Sequence, residues 1–176
     1  MKQKNELYQI LEPMMSKLYS FAHVLIPDHL SCEKLIIDAF HVFSIKEADV
    51  LEGINYRWQD KKIFLQFKKD FYKMMLKNIY RIGRKSFYQR YPTEEMLNHL
   101  PQFYSCIDIE ARSILFLRHH LSLKYQDIAM VMELEKFKVI QKLHLSRDLL
   151  LDLEKQNDPA RGHTILGDHL DVALLE

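Results

Sequence analysis

Apolar side chains recur at helical spacing along most of the chain. Leu7, Ile10, Leu11, Met14, Met15, Leu18, Phe21, Ala22 and Leu25 fall three or four residues apart. They predict a helix over 5–26, ended by Pro27-Asp28. A second helix is expected to start near Ser31, as its N-cap, and to run through Leu35, Ile36, Ala39, Phe40 and Phe43. Residues 49–60, with Gly53, are weakly patterned. A third, long helix is predicted over 61–82 with Gly83 as its stop, and 84–91 extends it after a break. Pro92 and Pro101 bracket a short stretch with Met96, Leu97 and Leu100, read as a linker with a helical turn or two. Asp108 is predicted to cap a helix carrying Ile109, Ile114, Leu115, Leu117 and Leu121. A short helix follows at 124–132 and a longer one at 136–154. Asn157-Asp158-Pro159 breaks the pattern ahead of a tail. The expected fold class is all-α, as two small helical domains over 1–91 and 106–155. A linker, 92–105, joins them, and a tail covers 156–176.

Composition agrees with helices. Of 176 residues 48% are hydrophobic, enough for a core, while 4 Gly and 5 Pro are too few for a fold of many hairpins. Two Cys give neither a disulfide framework nor zinc-ligand spacing. The opening MKQKNELYQILEPMM lacks the apolar run of a signal peptide, and no stretch reaches the length needed to span a bilayer. The expectation is a soluble, reduced, cytoplasmic protein.

Charge changes the picture. The net charge of +1 hides a segment, 61–90, with ten basic residues and one acid, Asp70. The stretches on either side are both net negative. The basic segment also carries Phe64, Phe67, Phe71, Tyr72, Tyr80, Phe87 and Tyr88, with Trp58 just before it. Cations that neutralise phosphates beside rings that stack on unpaired bases describe a single-strand nucleic-acid surface. An amphipathic helix with a solvated basic face and an aromatic core stripe would show the same composition.

Residues 123–144, LKYQDIAMVMELEKFKVIQKLH, fit two helices crossing at a tight turn. Leu123, Ile128, Met132, Val139, Ile140 and Leu143 supply the apolar faces. Ala129 allows close approach, Leu134 plugs the turn, and Glu133 stands where Gly is frequent. In a DNA-binding helix-turn-helix the second helix enters the major groove. Lys136, Phe137, Lys138, Gln141 and Lys142 would lie on its first turns. A plain helical hairpin is the alternative.

Taken in order, these parts resemble the extracytoplasmic-function group of bacterial RNA polymerase sigma factors, with a divergent region 4. Region 2 would map to about 5–91 and region 4 to about 106–153. The family's Arg, apolar run, Arg, then Leu-Ser-Tyr-x-Glu-Ile-Ala is similar to Arg112-Ser113-Ile114-Leu115-Phe116-Leu117-Arg118 followed by Leu123-Lys124-Tyr125-Gln126-Asp127-Ile128-Ala129. Its Val-Lys-Ser-Arg-Leu-His-Arg-Ala-Arg is similar to Val139-Ile140-Gln141-Lys142-Leu143-His144-Leu145-Ser146-Arg147. Its Ala-Glu-Asp-Leu-Val-Gln-Glu-Ala-Phe resembles Cys32-Glu33-Lys34-Leu35-Ile36-Ile37-Asp38-Ala39-Phe40. Its Trp-Leu-x-x-Ile-x-x-Asn resembles Phe71-Tyr72-Lys73-Met74-Met75-Leu76-Lys77-Asn78. Departures are Lys34 and Ile37 for an acid and a Gln, Ile140 for Lys, and Leu145 for Arg. Residues 106–155 hold eight basic and eight acidic residues, so that half is neutral.

The resemblance implies a factor that directs RNA polymerase to promoters, with core polymerase and promoter DNA as partners and an anti-sigma factor as a possible third. It implies core binding through Glu33, Ile37 and Asp38. It implies −10 strand contacts from Lys69, Phe71, Tyr72, Lys73, Lys77, Asn78, Arg81, Arg84 and Lys85. The −35 contacts would come from Lys136, Lys138, Gln141, Lys142 and Arg147. A sigma-like regulator that binds proteins without initiating is the other reading. His29 and Cys32 near Asp28 are too few for a metal site. His119-His120 read as cations at a helix C-terminus. No phosphate loop, dinucleotide fingerprint or nucleophile elbow occurs. Neither a cofactor nor an enzyme is expected. Ile165, Leu166, Leu170, Val172, Leu174 and Leu175 of the tail would dock on the body or a partner.

Overall fold

The computed structural model describes residues 9–46 and 60–156, and side chains as far as 153. Residues 49–59 of the weakly patterned stretch, Trp58 among them, and the tail from 157 therefore lie outside the described residues. Every element among the described residues is helical, as the periodicity predicts. No helix among them is long and apolar enough to cross a membrane.

The first predicted helix is interrupted. Pro13 has no N–H to donate, and a 3-10 turn at Glu12–Met14 separates residues 9–11 from helix α1, Met15–Leu25. Helix α2, His29–Lys46, starts two residues before the expected cap. Asp28 does the capping instead of Ser31: its Oδ2 accepts from the Ser31 N–H at 2.9 Å. Asp60 caps α3, accepting from the N–H groups of Lys62 (2.8 Å) and Ile63 (3.4 Å). Helix α3 runs unbroken over Lys61–Arg90, about 45 Å at the helical rise. The predicted stop at Gly83 is thus corrected: this glycine is an interior helical residue. A Cβ there would lie 2.7 Å from Leu25 Cδ1 and 2.9 Å from Leu35 Cδ2. Glycine is needed where α3 crosses α1 and α2.

The stretch read as a linker contains α4, Glu94–Asn98, capped by Thr93, and α5, Gln102–Cys106, and it buries Phe103 and Tyr104. Asp108 caps α6, Ile109–Leu115, as predicted, through the N–H groups of Glu110 (2.8 Å) and Ala111 (2.9 Å). A π-helical turn, Phe116–His120, extends it, closed by the Leu121 N–H on the Phe116 carbonyl. Helices α7, Tyr125–Met132, and α8, Lys136–Gln156, follow.

The buried apolar residues of both halves form one cluster. Phe21 of α1 stacks on Phe116, and Phe43 of α2 meets Phe71 of α3 edge to face at 4.7 Å. The pin between the halves is Arg112, 1% exposed. Its Nε donates to the Val24 carbonyl (2.8 Å) and its Nη2 to that of Leu25 (3.2 Å), at the C-terminal end of α1. Its Nη1 donates to the carbonyls of Ile107 (2.9 Å) and Tyr104 (3.2 Å). The guanidinium lies over the rings of Phe87 (4.4 Å) and Tyr104 (5.2 Å). Burial pulls its pKa down to about 10, so it remains a cation at neutral pH.

Candidate nucleic-acid interface

Helices α7 and α8 meet as the sequence predicts. Ile128, Val131 and Met132 face Val139 and Leu143 in the core, and the Leu134 N–H closes the turn on the Ala129 carbonyl at 3.0 Å. Glu133 takes the left-handed conformation that tight turns reserve for glycine, φ 56° and ψ 40°. Arg118 stabilises the entry to α7, donating to the Leu123 carbonyl at 3.0 Å with its guanidinium over the Tyr125 ring. The first turns of α8 point outward: Lys136, Phe137, Lys138 and Gln141 are all exposed, Phe137 at 73%. Further along the helix Leu145, Leu149 and Leu151 are exposed as well.

The rest of the expected −35 set is engaged. Lys142 Nζ lies 2.8 Å from Glu110 Oε2, and that contact holds its pKa up. Arg147 Nε donates to His119 Nε2 at 3.2 Å. His119 is held below the ordinary histidine range by burial and by Arg147 and Arg118, and burial likewise lowers His120. Both imidazoles sit in the last turn of the π-helical stretch, at the helix end where the sequence places them.

Along α3 a row of cations faces the C-terminal half. Lys73 Nζ meets Asp127 Oδ1 of α7 at 2.6 Å, Lys77 meets Glu133 at 3.0 Å, and Arg84 meets Glu110 of α6 at 3.0 Å. Glu110 thus bridges α3 and α8, taking Arg84 on one oxygen and Lys142 on the other. The Lys77 hydrogen bond keeps the Glu133 carboxyl below its ordinary range, and Arg81 and Lys46 add to this. Lys69, Arg81 and Lys85 remain exposed. This acid–base seam was hidden in the sequence: residues 106–155 are neutral in total, and the acids that face α3 stand out only once the two halves are packed together.

Two expected contacts are corrected. Phe71 is 1% exposed, with its ring against Phe43 and Phe67, so it is core and cannot stack on a base. Asn78 is buried, and its Nδ2 donates to the Ala39 carbonyl at 3.2 Å, which ties α3 to α2. Tyr72 is half-buried. Its hydroxyl is enclosed without a hydrogen-bond partner, and burial pushes its pKa up to about 12. Of the expected polymerase-binding residues, Glu33 and Ile37 are exposed on α2 and Asp38 is half-buried. An apolar cavity of about 380 Å³ opens beside Ile37, between α2 and the start of α1, lined by Leu11, Met15, Ile36 and Phe40.

No protein-family model matches the chain, and neither a curated protein nor a solved structure does.

Proposed function

We propose that the protein is a sigma-type initiation factor that binds core RNA polymerase through α2 and promoter DNA through α3 and the α7–α8 pair. The observation that carries this reading is the outward first turn of α8, with Lys136, Phe137, Lys138 and Gln141 exposed behind a tight left-handed turn. That is the placement a recognition helix requires for access to base edges. Lys69, Arg81 and Lys85 offer cations for backbone phosphates on α3. Lys73, Lys77 and Arg84 join them only by exchanging carboxylates for phosphates. In the full DNA complex, on this reading, the α7–α8 pair leaves the row.

In vitro transcription with core polymerase tests the proposal. Charge reversal at Lys69, Lys73 and Lys77 should abolish open-complex formation. Reversal at Lys136 and Lys138, which leaves the seam intact, should lower promoter affinity about tenfold or more at low salt. Initiation at the unaltered level by both variants would sink it.

The exposed Phe137, Leu145, Leu149 and Leu151 of α8 favour a second reading, a sigma-like regulator that binds a protein through this helix. A salt titration separates the two. A phosphate-dominated complex weakens steeply with salt, whereas an apolar interface holds.

A further inference from the structure

The end of α3 and the start of α2 enclose a cleft of about 280 Å³ on the side of α3 away from the seam. Its floor is apolar: Ile26, Leu35 and Ile82. Its walls carry Ser31 and Lys34 from α2 and Lys85, Ser86, Gln89 and Arg90 from α3. Lys34 and Ser31 fall within one turn of each other on α2, and Lys85 and Gln89 within one turn on α3, so donors converge from two helices. Asp38 is the acid among the lining residues.

The charge here is compensated less fully than in the seam: Asp28 takes the side chains of Ser31 and Arg90, and Asp38 lines the cleft, but the two lysines are left unpaired. Arg90 Nη1 lies 3.4 Å from Asp28 Oδ2, outside the lining, which holds the guanidinium at one end of the cleft. Among the described residues neither Lys34 nor Lys85 has a carboxylate within ion-pair distance. Two lysines without a carboxylate partner, the Ser86 hydroxyl and the Gln89 side-chain amide around one small opening suit a tetrahedral anion, which accepts hydrogen bonds from several directions at once. The volume falls just short of a drug-sized pocket, and the apolar floor leaves room for a sugar beside the anion.

We propose that this cleft binds the phosphate group of a phosphate ester, with Lys34 and Lys85 as the main charge contacts and Ser86 and Gln89 completing the donor set. The ester is either a free nucleotide or a phosphodiester of a nucleic-acid strand. The site stands whether or not the protein serves in initiation.

Calorimetric titration of the full chain with inorganic phosphate, AMP and a short single-stranded oligodeoxythymidine tests this. The double variant Lys34→Gln/Lys85→Gln should weaken the bound probe about tenfold. Asp38→Asn should tighten it about threefold, because a like charge leaves the cleft. Lys17→Gln, an exposed cation on α1, should change nothing. All four side chains are at the surface or partly so, and thermal unfolding of each variant confirms that it is folded. Binding of AMP or phosphate lost in the double variant supports the site with a small ester as its source. Binding confined to the oligonucleotide, and lost in the same variant, supports it with a strand as its source. The proposal is overturned if no probe binds at millimolar concentration, or if the double variant binds as the parent does. It is equally overturned if Lys17→Gln weakens binding as much as the double variant.

Discussion

The two sides of α3 carry the same kind of charge and meet opposite surroundings. Toward the C-terminal half, Lys73, Lys77 and Arg84 each face a carboxylate. Toward α2, Lys85 shares a cleft with Lys34 and Arg90, and only Asp38 opposes them among the lining residues. Density of basic residues along a sequence therefore does not say how much positive field reaches solvent. The partners are set by folding, and Lys73 finds Asp127 across 54 residues. A carboxylate and a phosphate compete for the same ammonium. The seam side is a surface already occupied, and the cleft side is one still open. Screening sharpens the difference, since partly buried pairs resist salt better than exposed cations do.

The strongest way to break this comparison is to cut the pin that holds the C-terminal half against α3. Arg112 donates to four buried carbonyls, and truncating it takes that donor from all of them. Arg112→Met should cost about 3–5 kcal/mol, read from urea unfolding, and should loosen the seam. Arg84→Met, which removes a half-exposed seam cation, should cost under about 1 kcal/mol. Equal losses for the two would mean that Arg112 is no pin.

Next in size is Gly83. Helix propensity alone predicts that Gly83→Ala stabilises by up to about 1 kcal/mol. The structure predicts the opposite sign, because the new Cβ would clash with Leu25 and Leu35. Overpacking of this kind costs about 1–3 kcal/mol, so a net loss is expected in thermal or chemical unfolding. The displaced Leu35 also floors the cleft, so phosphate binding should weaken in this variant while the seam pairs persist.

These cases show what was legible in the sequence. Helical periodicity located α1, α2, α3, α6, α7 and α8, because an apolar stripe is a local property. The caps at Asp60 and Asp108 belong to side chains that accept from their own helix, and Asp108 was readable for that reason. Gly83 misled, since a glycine that ends a helix and one that admits a crossing helix look alike until the neighbour is placed. Of the candidate site, the exposed face of α8 followed from the period of its buried residues. Phe71 and Asn78 did not, because ring and amide positions are equally at home on a surface or in a core. Arg112 and Arg118 were visible as a spaced pair, yet their work as carbonyl donors and ring-stacked cations depends on distant backbone. The seam needed both halves at once.

The smallest effects divide the charge from the backbone within the seam, at Glu133. This residue sits in a left-handed conformation, which costs about 1 kcal/mol for a residue with a Cβ, and it pairs with Lys77. A half-exposed pair of this kind contributes about 0.5 kcal/mol. Glu133→Gln keeps the backbone penalty and loses the pair, so it should destabilise slightly. Glu133→Gly loses the pair and the penalty together, so it should stabilise by a few tenths of a kcal/mol. The pH dependence gives a second handle. The folded-state carboxyl titrates below its ordinary value of 4.5. Its stabilisation is thus fully present above that value and is lost as the pH falls through the lower, folded-state value. The difference in stability between parent and Glu133→Gln should therefore be constant from pH 7 to about 5 and shrink below about 4. The offset between Glu133→Gln and Glu133→Gly should not change with pH at all, because neither carries the carboxyl. If Glu133→Gly were the less stable of those two, the left-handed turn would not be a cost to this fold, and the Lys77 pair would lose its role as the compensation for it.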